Sequence, residues 1–266
     1  MVTGLASWVP EELDLERPSG ARVCDYLLGG GHNFAHDREL AERMLHVQPH
    51  AREIVRLNRA FLRRAVLFMV ESGVRQFLDL GSGIPTVGNV HEIAQKADPR
   101  ARVVYVDDEE VAIAHSELIL EHNHLATVVR ADEAEAGRVL DHASGLLDFG
   151  EPVGLLAVGG FQSVGAEPWR VLAAYRDLLR SGSYLGLSHV ASDMMPREVA
   201  DVVEVMKGSR DPLFPRSHAE ITALFDGFDI VEPGVVPTSS WRPEAPYDIN
   251  DEPGRSGMYA GVGRKP

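Results

Sequence analysis

The run QFLDLGSGIPT, Gln76 to Thr86, holds a carboxylate, Asp79, just ahead of two close-set glycines, Gly81 and Gly83, with the hydroxyl of Ser82 between them. Missing β-carbons let the backbone approach a ligand closely. A dinucleotide fingerprint needs a further glycine where this chain has Thr86. A carboxylate in such a turn also repels a pyrophosphate resting on a helix N-terminus. It favours a cation instead. S-adenosylmethionine carries a sulfonium and an ammonium but no phosphate, so the acidic, glycine-lined turn suits that methyl donor better than it suits NAD(P).

Further chemistry-bearing residues sit where other strands end. Asp107 lies 24 residues after Gly83, close to the spacing of about 20 expected for an acidic residue that accepts hydrogen bonds from ribose hydroxyls. Asp108 is its neighbour and a second candidate; Glu109 or Glu110 reads as the helix-start carboxylate. Asp132, after the third strand, is the candidate adenine contact, with helix capping as its alternative role. Gly159, Gly160 and Phe161 follow the fourth strand in a loop expected to flank the transferring methyl, the glycines permitting close approach and Phe161 either stacking in the substrate pocket or simply packing. His189 ends the fifth strand, as either a general base or a hydrogen-bonded structural histidine. Trp241 and Tyr247, in a long Pro-rich loop, are candidate pocket walls or ordinary packing residues.

The elements that must position these residues read as an α/β fold. Phe77, Leu78 and Leu80 form the apolar run of a strand buried on both faces, and Thr86 opens a helical pattern through Val90, Ile93 and Ala94. Strand, glycine turn and helix make the first half of a nucleotide-binding βαβ unit. Further strands are read at Arg102 to Val106, Thr127 to Arg130, Pro152 to Val158, within GSYLGLSHVASD, at Phe228 to Val231 and at Gly257 to Arg264. Helices are read at Glu167 to Arg180 and Met195 to Lys207, and Ser217 with Glu220 makes a capping-box pattern. Before the first strand come a tail, two short helices joined by Gly29, Gly30 and Gly31, and a helix over Pro49 to Ser72 with Leu57, Phe61, Ala65 and Phe68 at helical spacing. The domain reading is an N-terminal tail and helical cover, 1–72, on a Rossmann-like body, 73–266, as one compact unit.

Composition narrows the function classes. With 266 residues, 44% of them apolar, the chain can bury a substantial core. A formal charge of −14 argues against a nucleic-acid substrate. No apolar run spans a membrane and the N-terminus lacks a secretory pattern, so a cytoplasmic protein is expected. The single cysteine, Cys24, excludes an internal disulfide, a multi-cysteine zinc site and a three-cysteine iron–sulfur site, and no metal is expected.

The segments DYLLGGGHNFAHDRELA, LNRAFLRRAV, QFLDLGSGIPT, VVYVDDEEV, GSYLGLSHVASD and MYAGVGRKP together resemble the bacterial S-adenosylmethionine-dependent methyltransferase family catalogued as DUF574. The resemblance covers nearly the whole chain. It implies a class I methyltransferase fold, with a seven-stranded, mostly parallel sheet, helices on both faces and an antiparallel last strand. It places Asp79, Gly81 and Gly83 on the methionine side, Asp107 at the ribose and Asp132 at the adenine. It also makes the LLGG segment and the helix before the glycine turn covers over the cofactor, which adds Tyr26, Gly29, Gly30 and Asn33 to the candidates. Pro85 departs from the family-wide GxGxG pattern and leaves the turn's shape open. The expected activity is methyl transfer from S-adenosylmethionine to a small-molecule acceptor. The alternatives are a module that binds the donor without turnover and, behind it, an NAD(P)-dependent oxidoreductase. A displacement at an already activated carbon needs alignment more than a base. The run AVGGFQS lacks the Asn/Asp-Pro-Pro-aromatic signature of exocyclic or amide nitrogen methylation.

Overall fold

The computed structural model describes residues 17–85, 88–244 and 252–266, so Thr86 and Tyr247 lie outside the described residues. Every residue of β1 (Gln76–Leu80) is buried, as its unbroken apolar run requires of a central parallel strand. Around it stand β2 (Arg102–Asp107), β3 (Ala126–Arg130), β4 (Gly154–Val158), β5 (Tyr184–Val190), β6 (Asp229–Ile230), β7 (Val236–Pro237) and β8 (Met258–Arg264). The sheet order is β3-β2-β1-β4-β5-β8-β6. The first five positions are parallel, with Leu78 opposite Val104 on one side and Leu155 on the other, and β8 runs antiparallel to β5. β6 pairs with β8 at Arg264 and β7 pairs with it at Tyr259, so two short pieces share the outermost of seven positions. This is the class I methyltransferase order.

Period-two alternation along β1 decides which layer each residue serves. Leu78 and Leu80 pack with Val104, Val106, Leu155 and Ala157 in one core layer. Phe77 packs in the other with Val103 and Tyr105, beneath α3 (Ala51–Glu71). Phe61, Leu62, Ala65, Val66 and Met69 form the buried stripe of that helix, and full burial of a side chain such as Phe61 contributes roughly 1.5–3 kcal/mol. The helix expected over Pro49 to Ser72 packs one of its sides on the sheet, and two shorter helices precede it. These are α1 (Gly20–Leu27), with Ser19 as its N-cap, and α2 (Ala35–Val47). α2 starts two residues before Asp37, whose carboxylate reaches back to the backbone N–H of Phe34.

Arg22 fastens this cover to the sheet domain. It is 1% exposed, donates to both carboxylate oxygens of Asp37 at 3.0 and 2.9 Å, and reaches Glu109 at 2.6 Å. Glu109 in turn caps α5 (Glu110–Leu120) by accepting from Ala112 N–H. The remaining helices are α4 (Val90–Ala97), α6 (Ala136–Ala143), α7 (Pro168–Leu178), α8 (Pro196–Met206) and α9 (His218–Ala223). α4 begins later than the Thr86 reading because Asn89 with Glu92 provides the capping box there. The Ser217 and Glu220 box stands at the start of α9 as read from the sequence. Trp241 is a core residue: it is fully buried, packs edge-on against Phe61 and Phe68, and its backbone carbonyl accepts from Arg64 at 2.8 Å. Among the described residues no helix is long and apolar enough to cross a membrane.

Candidate functional site

The ends of β1 to β4 open into one cavity of about 260 Å³, roofed by α1 and bounded by α3 and α8. Gly81, Ser82 and Gly83 line it from β1, Asp107, Asp108 and Glu109 from β2, Glu133 from β3, and Gly159 and Gly160 from β4. Gly81 and Gly83 have φ of 60° and 67°, which glycine alone adopts without penalty. Two bonds to β2 shape the turn: Ser82 N–H donates to Val106 O at 3.1 Å, and Gly83 N–H donates to the Asp107 carboxylate at 2.7 Å. The turn therefore closes without a third glycine. Gly81 also abuts the β4 loop so closely that a β-carbon on Gly160 would lie 2.8 Å from Leu80 O.

Electrostatically the site is a cluster of buried acids. Burial pushes Asp107 up to about 7 against the backbone N–H groups of Glu109 and Gly83, which favour its ionised form. Burial likewise holds Glu133 at about 7, with Asp107 adding repulsion. Asp79 is raised to about 7 by desolvation, which outweighs the guanidinium of Arg59. Arg59, on α3, lines the cavity and donates to Gly88 O at 3.0 Å; burial lowers its pKa, and Asp79 is the largest opposing influence. Such a site stabilises a cation, and its one arginine at the β1 end can meet a carboxylate.

A profile of the S-adenosyl methyltransferase family matches residues 6–266. The chain belongs to this family. A candidate methyltransferase from Thermobifida fusca YX is 38% identical over 98% of this chain and 99% of that chain, with a TM-score of 0.91. A DUF574 family protein from Streptomyces avermitilis MA-4680 is 34% identical over 95% and 99%, also with a TM-score of 0.91. Among proteins of curated function none matches.

Against the residues expected of a methyltransferase of this family, the structure sorts the candidates. Gly81, Ser82, Gly83, Asp107, Asp108 and Gly159 line the cavity. Asp108 does so from a half-exposed position, paired with Arg210 at 2.8 Å. Asp79 shares a strand face with Phe77 and so lies under α3 beside Arg59, behind the cavity wall instead of in it. Asp132 is exposed and folds back on Ala134 N–H at 2.8 Å, while the next residue, Glu133, turns into the cavity.

The glycine loop covers differently from the expectation. Tyr26, Gly29, Gly30 and Asn33 are not in the cavity lining; Leu27 and Leu28, between Tyr26 and the glycines, are. Tyr26 donates to Glu42 at 2.6 Å and Asn33 donates to Asp25 at 2.8 Å. Asp25 also accepts from His32 N–H, so this buried carboxylate gathers the loop. Gly30 makes that possible, because a β-carbon there would meet Asp25 Oδ1 at 2.0 Å.

His189 is not available as a base. It is fully buried, its Nδ1 faces Val190 O at 3.0 Å, and its Nε2 lies 2.6 Å from the Arg216 guanidinium, which can only donate. That pattern assigns the proton to Nδ1 and consumes the lone pair on Nε2. Burial accordingly drops its pKa to about 4. Phe161 is fully buried in the core layer beneath the loop, and its neighbours Gln162 and Ser163 line the cavity in its place. Sequence reasoning also missed Arg59 and Asn58. Asn58 packs on Gly159 and accepts from Ser188 Oγ at 2.6 Å. Their signal is the resemblance, which makes their helix a cover over the cofactor without saying which of its residues face the site.

Proposed function

We propose that this chain transfers a methyl group from S-adenosylmethionine to a small-molecule acceptor. The observation that carries the reading is the convergence of the Gly81–Gly83 turn, Asp107 and Glu133 on one cavity closed by α1. The residues fit the donor. Asp107 keeps free lone pairs for ribose hydroxyls beyond the two backbone donors it accepts. Ser82 Oγ is buried without a partner among the described residues and can take up a hydrogen bond from the ligand. Glu133, at the adjacent strand end, suits the adenine amino group, and Arg59 suits the methionine carboxylate. A pyrophosphate would meet these same carboxylates with its own charge, which disfavours NAD(P).

When bound, the donor supplies an activated methyl carbon, so the chain's task is alignment and exclusion of water. The glycine contact between Gly81 and Gly160 fixes the floor, and the Arg22 clamp holds α1 as the roof. No proton transfer is assigned to His189. Calorimetric titration with S-adenosylhomocysteine tests the reading: binding is expected at micromolar concentration or tighter, and Asp107→Ala is expected to weaken it by about tenfold or more, on the order of one charge-assisted hydrogen bond. Absence of binding to the wild-type chain would end it.

A further inference from the structure

The cavity has two chemically different walls. The strand ends β1 to β3 supply glycines and carboxylates; α2 and α8 supply no charged side chain at all. From α8, which follows β5 on the far side of the sheet from β3, Val199, Val203 and Met206 face the cavity. Val199 and Met206 are buried, whereas Arg197, Asp201 and Glu204 of the same helix are exposed. Opposite stand Leu27, Met44 and Val55, and with Met206 these form an apolar cluster separate from both layers of the sheet core. A core cluster normally closes on itself; this one leaves its face on the cavity uncovered.

A neutral polar side chain also reaches the cavity. Gln162, two residues after Gly160, lines the cavity, and its amide oxygen is buried without a hydrogen-bond partner among the described residues. A buried acceptor left unmatched costs free energy that a ligand O–H or N–H can recover.

We propose that the apolar wall built by Leu27 of α1 with α2, α3 and α8 binds the methyl acceptor, and that this acceptor is an uncharged, mainly apolar small molecule carrying one hydrogen-bond donor, received by Gln162. The assignment deepens the methyltransferase reading and rests on it for the word acceptor. The binding of such a molecule is testable apart from the donor. A charged acceptor would lose its hydration against Val199, Val203 and Met206, where α2 and α8 supply no counter-charge, and an anion would in addition meet the cavity's own acids, Asp25 and Asp211 among them.

The test uses N-phenyl-1-naphthylamine, a neutral apolar fluorophore with a single N–H, and its anionic relative 8-anilinonaphthalene-1-sulfonate. Titrated into the full chain, the neutral probe is expected to gain emission and to bind at least tenfold more tightly than the sulfonate, with S-adenosylhomocysteine present or absent. Val203→Asp is expected to weaken the neutral probe by more than tenfold while leaving the affinity for S-adenosylhomocysteine within about twofold. Val203→Phe fills the same space without a charge; it serves if thermal melting shows the aspartate variant unfolded, with the same loss expected. Gln162→Leu is expected to weaken the probe severalfold. No probe binding, equal binding of the sulfonate, unchanged binding to both Val203 variants, or displacement of the probe by S-adenosylhomocysteine would each overturn the proposal. Probe binding that depends on Val203 in a chain that ignores S-adenosylhomocysteine would uphold the apolar site and defeat the donor reading instead.

Discussion

Gly160→Ala isolates the contact on which the floor of the site depends. Gly160 has φ −80° and ψ −48°, a conformation open to any residue, so the substitution carries no backbone strain. The added methyl would stand 2.8 Å from Leu80 O, 3.0 Å from Gly81 Cα and 3.1 Å from Gly81 O, where ordinary contact begins at 3.4 Å. All three are backbone atoms of a buried strand and its turn, which no rotamer change can move aside. Relief requires the β1 turn and the β4 loop to separate by about 0.6 Å, the shortfall of the tightest contact. Overpacking of this kind costs about 1–3 kcal/mol, against about 0.4–1 kcal/mol regained from a less flexible unfolded chain. A net loss of about 1–2 kcal/mol lowers the melting temperature by roughly 2–8 °C for a domain of this size. The same shift displaces the turn by more than the tolerance of a binding site, so affinity for S-adenosylhomocysteine is expected to fall by about tenfold. Gly137→Ala, on α6 with nothing within 4 Å of the new methyl, is the control and should gain slightly. Scanning calorimetry and isothermal titration read both quantities. A Gly160→Ala chain that melts and binds like the wild type would refute the steric argument.

Three other perturbations follow from the same geometry. With Asp79, Asp107 and Glu133 all near 7 and above their unfolded values, the folded chain holds extra protons between about pH 4 and 7; their contribution to stability falls as pH rises through that window. A bound cation pulls down the two that line the cavity, Asp107 and Glu133, so affinity for the cationic analogue sinefungin should rise between pH 6 and 8 by about tenfold for each group fully coupled to it. Calorimetry in buffers of different ionisation enthalpy checks this, and zero proton release at pH 7 would contradict it. Arg22→Met strands the buried carboxylates of Asp37 and Glu109 and should cost about 3–5 kcal/mol in urea denaturation. An unchanged midpoint would show that the clamp does not hold the cover. His189→Gln should lose about 1.5–3 kcal/mol through the Arg216 contact yet keep the affinity for S-adenosylhomocysteine within about twofold. Loss of binding without loss of stability would restore a role for this histidine in the site.

Much was legible before folding because it depends on neighbours in the chain. The apolar run Phe77 to Leu80, the glycines at 81 and 83 and the acid ending the next strand define a βαβ unit by local rules: side-chain period, backbone freedom and helix capping. Asp107 was found by spacing alone, since the loop and helix between two adjacent parallel strands have a narrow range of lengths. Those local rules also placed the Ser217 and Glu220 box at the start of α9.

What tertiary structure decided is direction. Asp132 and Glu133 are equally acidic neighbours, and only the turn after β3 determines that Glu133 faces the cavity while Asp132 bonds Ala134. The sequence presents Asp79 as a ligand-facing carboxylate of the turn, but it lies within β1, whose alternation sends it toward α3 and Arg59, a partner 20 residues away that no local pattern names. His189 ends a strand as a catalytic base could, yet Arg216, 27 residues on, occupies its lone pair. The apolar wall is assembled from α1, α2, α3 and α8, helices separated by most of the chain. A carboxylate or a valine declares its chemistry in the sequence; which void it faces is set by long-range packing, because the close-packed interior leaves each side chain a direction that only its distant neighbours define.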